Sequence, residues 1–155
     1  MRARNSVDSS LYSSTFTIVA ATVPSQPSAP ITSVNNEFEI GISWTNPSDL
    51  GGLSISGYKL EIKTATGTFE KDLTNCNAES NSSIISARTC VIPTTVLRSL
   101  PFSIGDSDII YARVTAINSI GESSLSSEGS GASMPIQDVE PDPPTALLRD
   151  EGSTT

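Results

Sequence analysis

Residues 38–44 read Phe-Glu-Ile-Gly-Ile-Ser-Trp, and this stretch decides the fold because large apolar residues stand at every second position. Successive side chains of a β-strand point to opposite faces, so this spacing predicts a strand with one apolar face. Residues 58–62 and 110–117 repeat the alternation. The residues that these stretches assign to a common core are Phe38, Ile40, Ile42, Trp44, Tyr58, Leu60, Ile62, Ile110, Val114 and Ala116.

Turn-forming sequence separates the predicted strands. Residues 45–52 read Thr-Asn-Pro-Ser-Asp-Leu-Gly-Gly, and residues 66–68 read Thr-Gly-Thr. Proline fixes φ, glycine permits positive φ, and asparagine and aspartate bond to the local backbone, so both stretches are typical of turns. Short alternating strands joined by turns predict an all-β antiparallel sandwich, with one short helical turn within residues 93–100.

Composition excludes several classes of function. The 155-residue chain carries 9 basic and 17 acidic residues, and this net charge of −8 argues against binding to nucleic-acid phosphates. The sequence contains no histidine, which removes the Ser-His-Asp triad and the commonest metal ligand. No apolar run approaches the ~20 residues that cross a bilayer. We therefore expect no enzyme activity, cofactor, metal site, nucleic-acid partner or membrane insertion in this segment.

The two ends of the chain repeat each other. The matched pairs are Asn5 with Asn118, Ser10 with Ser124, and Pro27 with Pro143, at separations of 113, 114 and 116 residues. A short loop insertion produces a drift of this size, and a spacing near the size of a domain predicts a tandem array. We assign residues 1–22 to the last strands of a truncated preceding repeat, residues 23–135 to one complete domain, and residues 136–155 to a linker and the first strand of a following repeat.

Four motifs in order resemble a fibronectin type III domain. They are Pro27-Ser28-Ala29-Pro30, Ile42-Ser43-Trp44, Gly57-Tyr58-Lys59-Leu60 and the Val-Thr-Ala-Ile-Asn-Ser-Ile-Gly-Glu-Ser of residues 114–123. The resemblance covers roughly residues 24–135, and residues 1–21 resemble the last two strands of a preceding copy. It implies a seven-stranded antiparallel immunoglobulin-like sandwich that serves as a spacer or a binding module in extended proteins.

The sequence departs from the family pattern at two places. The family usually has a tyrosine at the start of its sixth strand, but that position holds Ile110, and Tyr111 is one residue out of phase. The integrin-binding Arg-Gly-Asp tripeptide of some members is absent, since Gly105-Asp106 follows Ile104. We therefore transfer neither the tyrosine contact nor integrin binding to this chain.

Cys76 and Cys90 are 14 residues apart and enclose a polar insertion. A disulfide there would close a loop with little core of its own, and two free buried thiols are the main alternative. Asn81-Ser82-Ser83 in the same insertion is a candidate glycosylation sequon. Both features indicate an oxidising extracellular or cell-surface compartment. Such cysteine-bearing insertions resemble those in long surface arrays of single-celled eukaryotes.

We expect a non-catalytic structural spacer of a multi-domain extracellular or cell-surface protein, with adhesion as an additional role. Its expected partners are the neighbouring repeats of the same chain and an unidentified protein or glycan ligand. The hairpin loop of the last two strands is a candidate binding loop, or else a plain glycine turn. This loop consists of Asn118, Ser119, Ile120, Gly121 and Glu122.

Two alternatives stay open on the sequence. One is an accessory module of a secreted hydrolase, whose catalytic domain would lie outside this stretch of chain. The other is a glycan-binding module, for which Tyr12, Tyr111 and Phe102 are the aromatic residues that we expect to be available.

Overall fold

The computed structural model describes residues 2–9, 11–12 and 20–137. Within these residues the strands are β1 (Ile31–Asn36), β2 (Glu39–Ser43), β3 (Gly57–Lys63), β4 (Phe69–Glu70), β5 (Thr89–Pro93) and β6 (Ala112–Ile117). Two short helices, α1 (Ser82–Ala87) and α2 (Thr94–Arg98), lie before and after β5. Most of the segment assigned to the linker and the following repeat, residues 138–155, lies outside the described residues.

The strands form two antiparallel sheets that enclose one apolar core, as the sequence predicted. In the first sheet, ordered β1-β2-β5, Ile42 of the central strand pairs with Thr32 on one side and Cys90 on the other. In the second sheet, ordered β4-β3-β6, Leu60 of the central strand pairs with Val114. Alternate residues of the central strands therefore face a shared interior, which is the arrangement of a β-sandwich.

Six strands, rather than the expected seven, are assigned within the described residues. Residues 121–134 occupy the seventh place and run along β6 without forming a regular strand. Their N–H groups at Ser123, Ser126 and Gly129 donate to the carbonyl oxygens of Ala116, Val114 and Ala112, at 2.8 to 2.9 Å. The segment thus advances three residues for every two of β6, which adds a bulge at each step. Small residues at every third position face inward, namely Ser123, Ser126, Gly129 and Ala132.

Two serine hydroxyls complete the hydrogen bonding that this bulged segment leaves open. Ser126 Oγ accepts from the N–H of Val114 at 2.9 Å, and Ser123 Oγ accepts from the N–H of Ala116 at 3.0 Å. A buried N–H without a partner is costly, so the side chains replace backbone acceptors that the extra residues displace.

The core contains most of the residues that the alternation assigned to it. Trp44 and Tyr58 meet edge to face, with ring centroids 5.5 Å apart. Burial of each large apolar side chain stabilises the fold by about 1.5–3 kcal/mol. The expected core residues that the structure buries are Ile40, Ile42, Trp44, Tyr58, Leu60, Ile62, Ile110, Val114 and Ala116. Further buried residues, which the alternation did not assign, include Ile92, Leu97, Phe102, Ile104 and Met134.

Phe38 is not a core residue, and its assignment from the alternation was wrong. It lies in the turn between β1 and β2, and 61% of its surface is exposed. Its N–H donates to Asn36 Oδ1 at 2.8 Å, and its carbonyl oxygen accepts from the N–H of Thr94 at 2.8 Å. The strand begins only at Glu39, so the alternation of faces does not extend back to Phe38.

Candidate functional sites

The cysteine insertion is attached to both sheets. Cys76 and Cys90 form a disulfide, with their Cα atoms 5.3 Å apart. Cys90 lies on β5 opposite Ile42, so the bond fixes the insertion to the first sheet. The N–H of Tyr58 on β3 donates to the carbonyl oxygen of Ala78 at 2.8 Å, which fixes the insertion to the second sheet.

The insertion contains helix α1, which the sequence patterns did not predict. Asn81 precedes the helix, and its Oδ1 accepts from the N–H groups of Ser83 at 3.0 Å and Ile84 at 3.4 Å. Asparagine in this position satisfies N–H groups that the first turn cannot pair. The helix ends at Arg88, which adopts a left-handed conformation with φ 55°. The available signal was the asparagine together with Ile84 and Ile85, which pack against the core.

A cleft of about 260 Å³ separates α1 from the loop that follows β2. Asn46, Tyr58, Ile85 and Arg88 are among its lining residues. The Tyr58 hydroxyl donates to Asn46 Oδ1. Burial raises the pKa of Tyr58, because the phenolate would lose hydration, and the nearby Arg88 charge partly offsets this increase.

Three segments meet at Asn118, at the end of the domain that we call the N-terminal pole (residues 22–26, 49–51 and 118–122). Asn118 Oδ1 accepts from the N–H groups of Ile120 at 2.9 Å and Gly121 at 3.2 Å, which forms the hairpin turn. Its Nδ2 donates to the carbonyl oxygens of Thr22 at 2.7 Å and Leu50 at 3.0 Å. Asn118 is 3% exposed, so it holds the loops together and is not a surface contact.

The other residues of the candidate binding loop differ in their exposure to solvent. Ser119 and Ile120 are exposed, and Gly121 is half-buried beside Val23. Glu122 forms an ion pair with Lys59 on the outer face of β3. The structure thus leaves Ile120 as the exposed apolar residue of this loop.

A second turn of the same form lies near the start of the chain. The N–H of Asn5 donates to the carbonyl oxygen of Asp8 at 3.1 Å, and its Oδ1 accepts from the N–H groups of Val7 and Asp8, both at 2.9 Å. Arg4 and Ser9 form an antiparallel bridge across this turn.

The Asn118 turn contains the same four interactions. Each participant lies 113 residues beyond its equivalent, which a shared Ala-x-Asn-Ser sequence alone would not require. The equivalent pairs are Arg4 and Ile117, Asn5 and Asn118, Val7 and Ile120, Asp8 and Gly121, and Ser9 and Glu122.

The chain leaves the domain at the opposite end of β6, which we call the C-terminal pole (residues 64–67, 98–109 and 134–136). Arg98 Nη2 donates to the carbonyl oxygen of Pro135 at 2.5 Å and to Asp106 Oδ1 at 2.6 Å. The N–H of Met134 donates to the carbonyl oxygen of Asp108 at 2.8 Å. The first residue after the last pairing is therefore fixed by an arginine at the end of α2.

A cleft of about 360 Å³ opens at the C-terminal pole. Its lining includes Ile104, Ile109 and Tyr111, together with Lys63. Lys63 Nζ lies 5.2 Å from the centre of the Tyr111 ring and forms an ion pair with Glu128 at 3.0 Å. The cleft is thus partly apolar, and the nearby ammonium group already has an acidic partner.

One of the three aromatic residues expected to serve a glycan site is buried. Phe102 is 2% exposed, so the expectation that it would be available was wrong. Its N–H donates to Ser99 O at 3.0 Å and its carbonyl oxygen accepts from Ala65 N at 2.8 Å, so the backbone holds its ring within the core. Tyr111 is half-buried, and Tyr12 is exposed in the N-terminal segment.

In the part of the chain that the structure describes, no cluster of three or more histidine, cysteine, aspartate or glutamate side chains could hold a metal ion. Within the same ranges, no helix combines the length and the apolar character of a membrane span.

Comparison with solved structures identifies the fold. The sixth fibronectin type III domain of human fibronectin type III domain containing protein 3 aligns at a TM-score of 0.53 and 16% identity, over 79% of this chain and 96% of that one. The fourth FNIII domain of a human protein aligns at 0.54 and 17%, over 83% and 94%. This chain has the fibronectin type III fold.

Titin domains also align with the chain in structure. A crystal structure of titin domains aligns at a TM-score of 0.51 and 18% identity, over 75% of this chain. This chain spans 34% of the titin fragment, and 18% of a second one that contains titin kinase and its flanking domains. No protein-family model matches the sequence, and no curated protein matches it. Fibronectin type III domains commonly serve as structural modules of multi-domain proteins.

Proposed function

We propose that this chain is a non-catalytic spacer module from a tandem array in an extracellular or cell-surface protein. The observation that carries the proposal is the repetition of the Asn118 turn at Asn5, with the same hydrogen bonds and bridge 113 residues earlier. The turn at Asn5 lies outside both sheets of the domain, and its sequence spacing from the Asn118 turn supports a preceding copy whose last strands are residues 1–22. Residues 23–135 are then one complete repeat.

The spacing function follows from where the chain enters and leaves the domain. The incoming segment bonds to Asn118, just after the C-terminal end of β6, whereas the outgoing segment bonds to Asp108, before its N-terminal end. Because the two attachment points lie at opposite ends of one strand, successive repeats would extend the array by the length of the domain. Adhesion is an additional role that such an array would serve by presenting exposed faces away from the cell.

The extracellular assignment rests on the cysteine insertion and not on the fold. The Cys76–Cys90 disulfide requires an oxidising compartment to persist. Asn81 is exposed, and its Oδ1 points to the helix N–H groups. Glycosylation attaches to Nδ2, so the cap of α1 and a glycan on Asn81 are compatible.

Peptide mass spectrometry of the natural protein tests the compartment. We expect a Cys76–Cys90 cross-linked peptide and a glycan on Asn81. Two free thiols in protein recovered from the cell surface or the medium would contradict the assignment.

The sequence on either side of residues 1 and 155 tests the array. We expect further copies at a spacing of about 113–116 residues, which is the spacing of the pairs within this chain. A catalytic domain directly beside this one would instead favour the accessory module of a secreted hydrolase.

A further inference from the structure

The incoming segment is hydrogen-bonded to the domain at the N-terminal pole. The N–H of Thr22 donates to the carbonyl oxygen of Gly51 at 2.9 Å, in addition to the bond from Asn118 Nδ2 to the Thr22 carbonyl oxygen. Farther along, the N–H of Ser25 donates to Asp49 O at 2.9 Å, and Gln26 Nε2 donates to Leu125 O at 2.6 Å. Residues 22–26 thus belong to the folded domain and do not act as a flexible tether.

The outgoing segment is fixed as far as Pro135, whose carbonyl oxygen accepts from Arg98 Nη2. In the sequence, the separation of equivalent residues rises from 114 at Ser10 to 116 at Pro27, so the equivalent of Thr22 lies between positions 136 and 138. At most Ile136 and Gln137 then separate the residue held by one repeat from the residue held by the next. Three backbone steps span at most about 11 Å, so the two poles must face each other closely.

Both poles carry exposed apolar residues that this contact would cover. At the C-terminal pole these are Leu100, Ile109 and Ile136, which are 87%, 55% and 67% exposed. At the N-terminal pole they are Val23, which contacts the hairpin at Gly121, and Ile120 at the hairpin tip. Clusters of exposed apolar residues commonly mark surfaces that bind another protein.

We infer that the C-terminal pole of each repeat binds the N-terminal pole of the next, in a fixed joint centred on Ile109 of one repeat and Ile120 of its successor. The partly apolar cleft lined by Ile104, Ile109 and Tyr111 is the receiving surface. The inference rests on the proposed array, because it requires a following repeat. The recurrence of the Asn118 turn at Asn5 indicates that the hairpin which forms this contact is present in more than one copy.

A protein of two repeats tests the joint. Residue 137 of one copy is joined directly to residue 22 of a second, which keeps the natural spacing. Residues 20–137 contain both sheets, the core and the disulfide, so each copy has every element needed to fold. Backbone N–H residual dipolar couplings report whether two domains share one orientation. We expect the couplings of both copies to fit one alignment tensor, and to require two tensors when a flexible Gly-Ser spacer is inserted at the junction.

Placement of the same substitutions in different copies provides a matched control. Ile109→Ser in the first copy and Ile120→Ser in the second both lie in the joint. We expect the couplings of this protein to require two alignment tensors. Ile109→Ser in the second copy and Ile120→Ser in the first face solvent. We expect the couplings of this protein to fit one alignment tensor. Any effect on folding is equal in the two proteins, so only the joint distinguishes them.

The outcomes separate this inference from the proposed array. If the directly joined copies require two tensors, the fixed joint is wrong, and the array stands on the flanking sequence. If the substitutions act equally in either placement, Ile109 and Ile120 do not form the contact. If the flanking sequence contains no further repeats, the array itself is wrong, whatever the joined copies do.

Discussion

Asn118 donates through Nδ2 to the carbonyl oxygen of Thr22, 2.7 Å away, although 96 residues separate them in the sequence. The same side chain accepts two N–H groups of its own hairpin through Oδ1. One buried amide therefore joins the last hairpin, the loop after β2 and the segment that enters the domain. This relationship makes the position of the incoming chain a property of the fold.

Asn118→Ala tests that relationship. The substitution removes the hydrogen bonds of Asn118 and leaves buried backbone groups unpaired, so we expect the free energy of unfolding to fall by about 2–4 kcal/mol. Asn5→Ala is the matched control, since Asn5 makes the same turn in an exposed segment and should change stability by less than about 0.5 kcal/mol. Urea denaturation measures both, and equal effects would show that Asn118 acts only through its local turn.

Gly51→Ala tests how closely the incoming segment approaches. Gly51 has φ 72°, and a Cβ there would lie 2.1 Å from the carbonyl oxygen of Thr22. Gly67 has φ 87° and no atom within 4 Å of a Cβ position. Gly67→Ala therefore reports the backbone strain alone, about 1–2 kcal/mol. We expect Gly51→Ala to be more destabilising by thermal unfolding, and equal losses would contradict the close contact.

Ser126→Ala tests the hydroxyl that pairs with Val114. Loss of this acceptor leaves a buried N–H unsatisfied, so we expect a destabilisation of about 1–3 kcal/mol and faster hydrogen exchange at the Val114 amide. Ser127 is exposed on the same segment, and Ser127→Ala should alter neither quantity. Protection of the Val114 amide in Ser126→Ala would show that the backbone supplies another acceptor.

Removal of the disulfide tests what the insertion contributes to stability. For a loop of this length, the chain-entropy estimate gives a loss of about 3 kcal/mol in the Cys76→Ala, Cys90→Ala double variant. Alanine avoids placing unpaired hydroxyls at two buried positions. Reducing agent should lower the Tm of the natural sequence to that of the double variant and should not affect the double variant itself. An unchanged Tm in the natural sequence would indicate that the insertion is stable without the bond.

The raised pKa of Tyr58 predicts that the domain loses stability in alkaline solution. Its folded-state pKa is raised above its ordinary value of 10.0 by burial, so the unfolded chain loses the phenolic proton at lower pH than the folded chain. The protonated Tyr58 hydroxyl therefore makes its full contribution to the free energy of unfolding below about pH 10, and this contribution is lost as the pH rises through the folded-state pKa. Tyr58→Phe should remove this component of the alkaline decline, measured by denaturation between pH 8 and 11.

The sequence predicted the sandwich because its central strands follow a period of two. The alternation correctly placed Ile40, Ile42 and Trp44 on an inward face. It wrongly included Phe38, which lies in the turn at residues 37–38 and not in the strand. The period of two also could not reveal residues 121–134, whose inward positions recur every third residue. Helix α1 is too short to show helical periodicity, and only its Asn81 cap and the apolar pair Ile84 and Ile85 mark it.

The site at Asn118 was only partly predictable. Its hairpin was identified from Asn118 and Gly121, and the sequence repeat located the equivalent Asn5. The bonds to Thr22 and Leu50 depend on how distant loops meet in three dimensions. The sequence pattern of a single segment contains no information about such contacts. The sequence therefore leaves two interpretations of this loop, a binding loop or a plain glycine turn.

The bulged segment beside β6 has a consequence for a protein made of many similar domains. Thr32 Oγ1 accepts from the N–H of Ala132 and donates to the carbonyl oxygen of Ile110, so this segment is bonded to β1 on one side and to β6 on the other. Neighbouring domains in an array are held at high local concentration, and exchange of strands between them is a common route to misfolding. Irregular backbone that is already bonded on both sides is a poor template for a foreign strand. This side of the sandwich therefore offers little to a strand from a neighbouring domain.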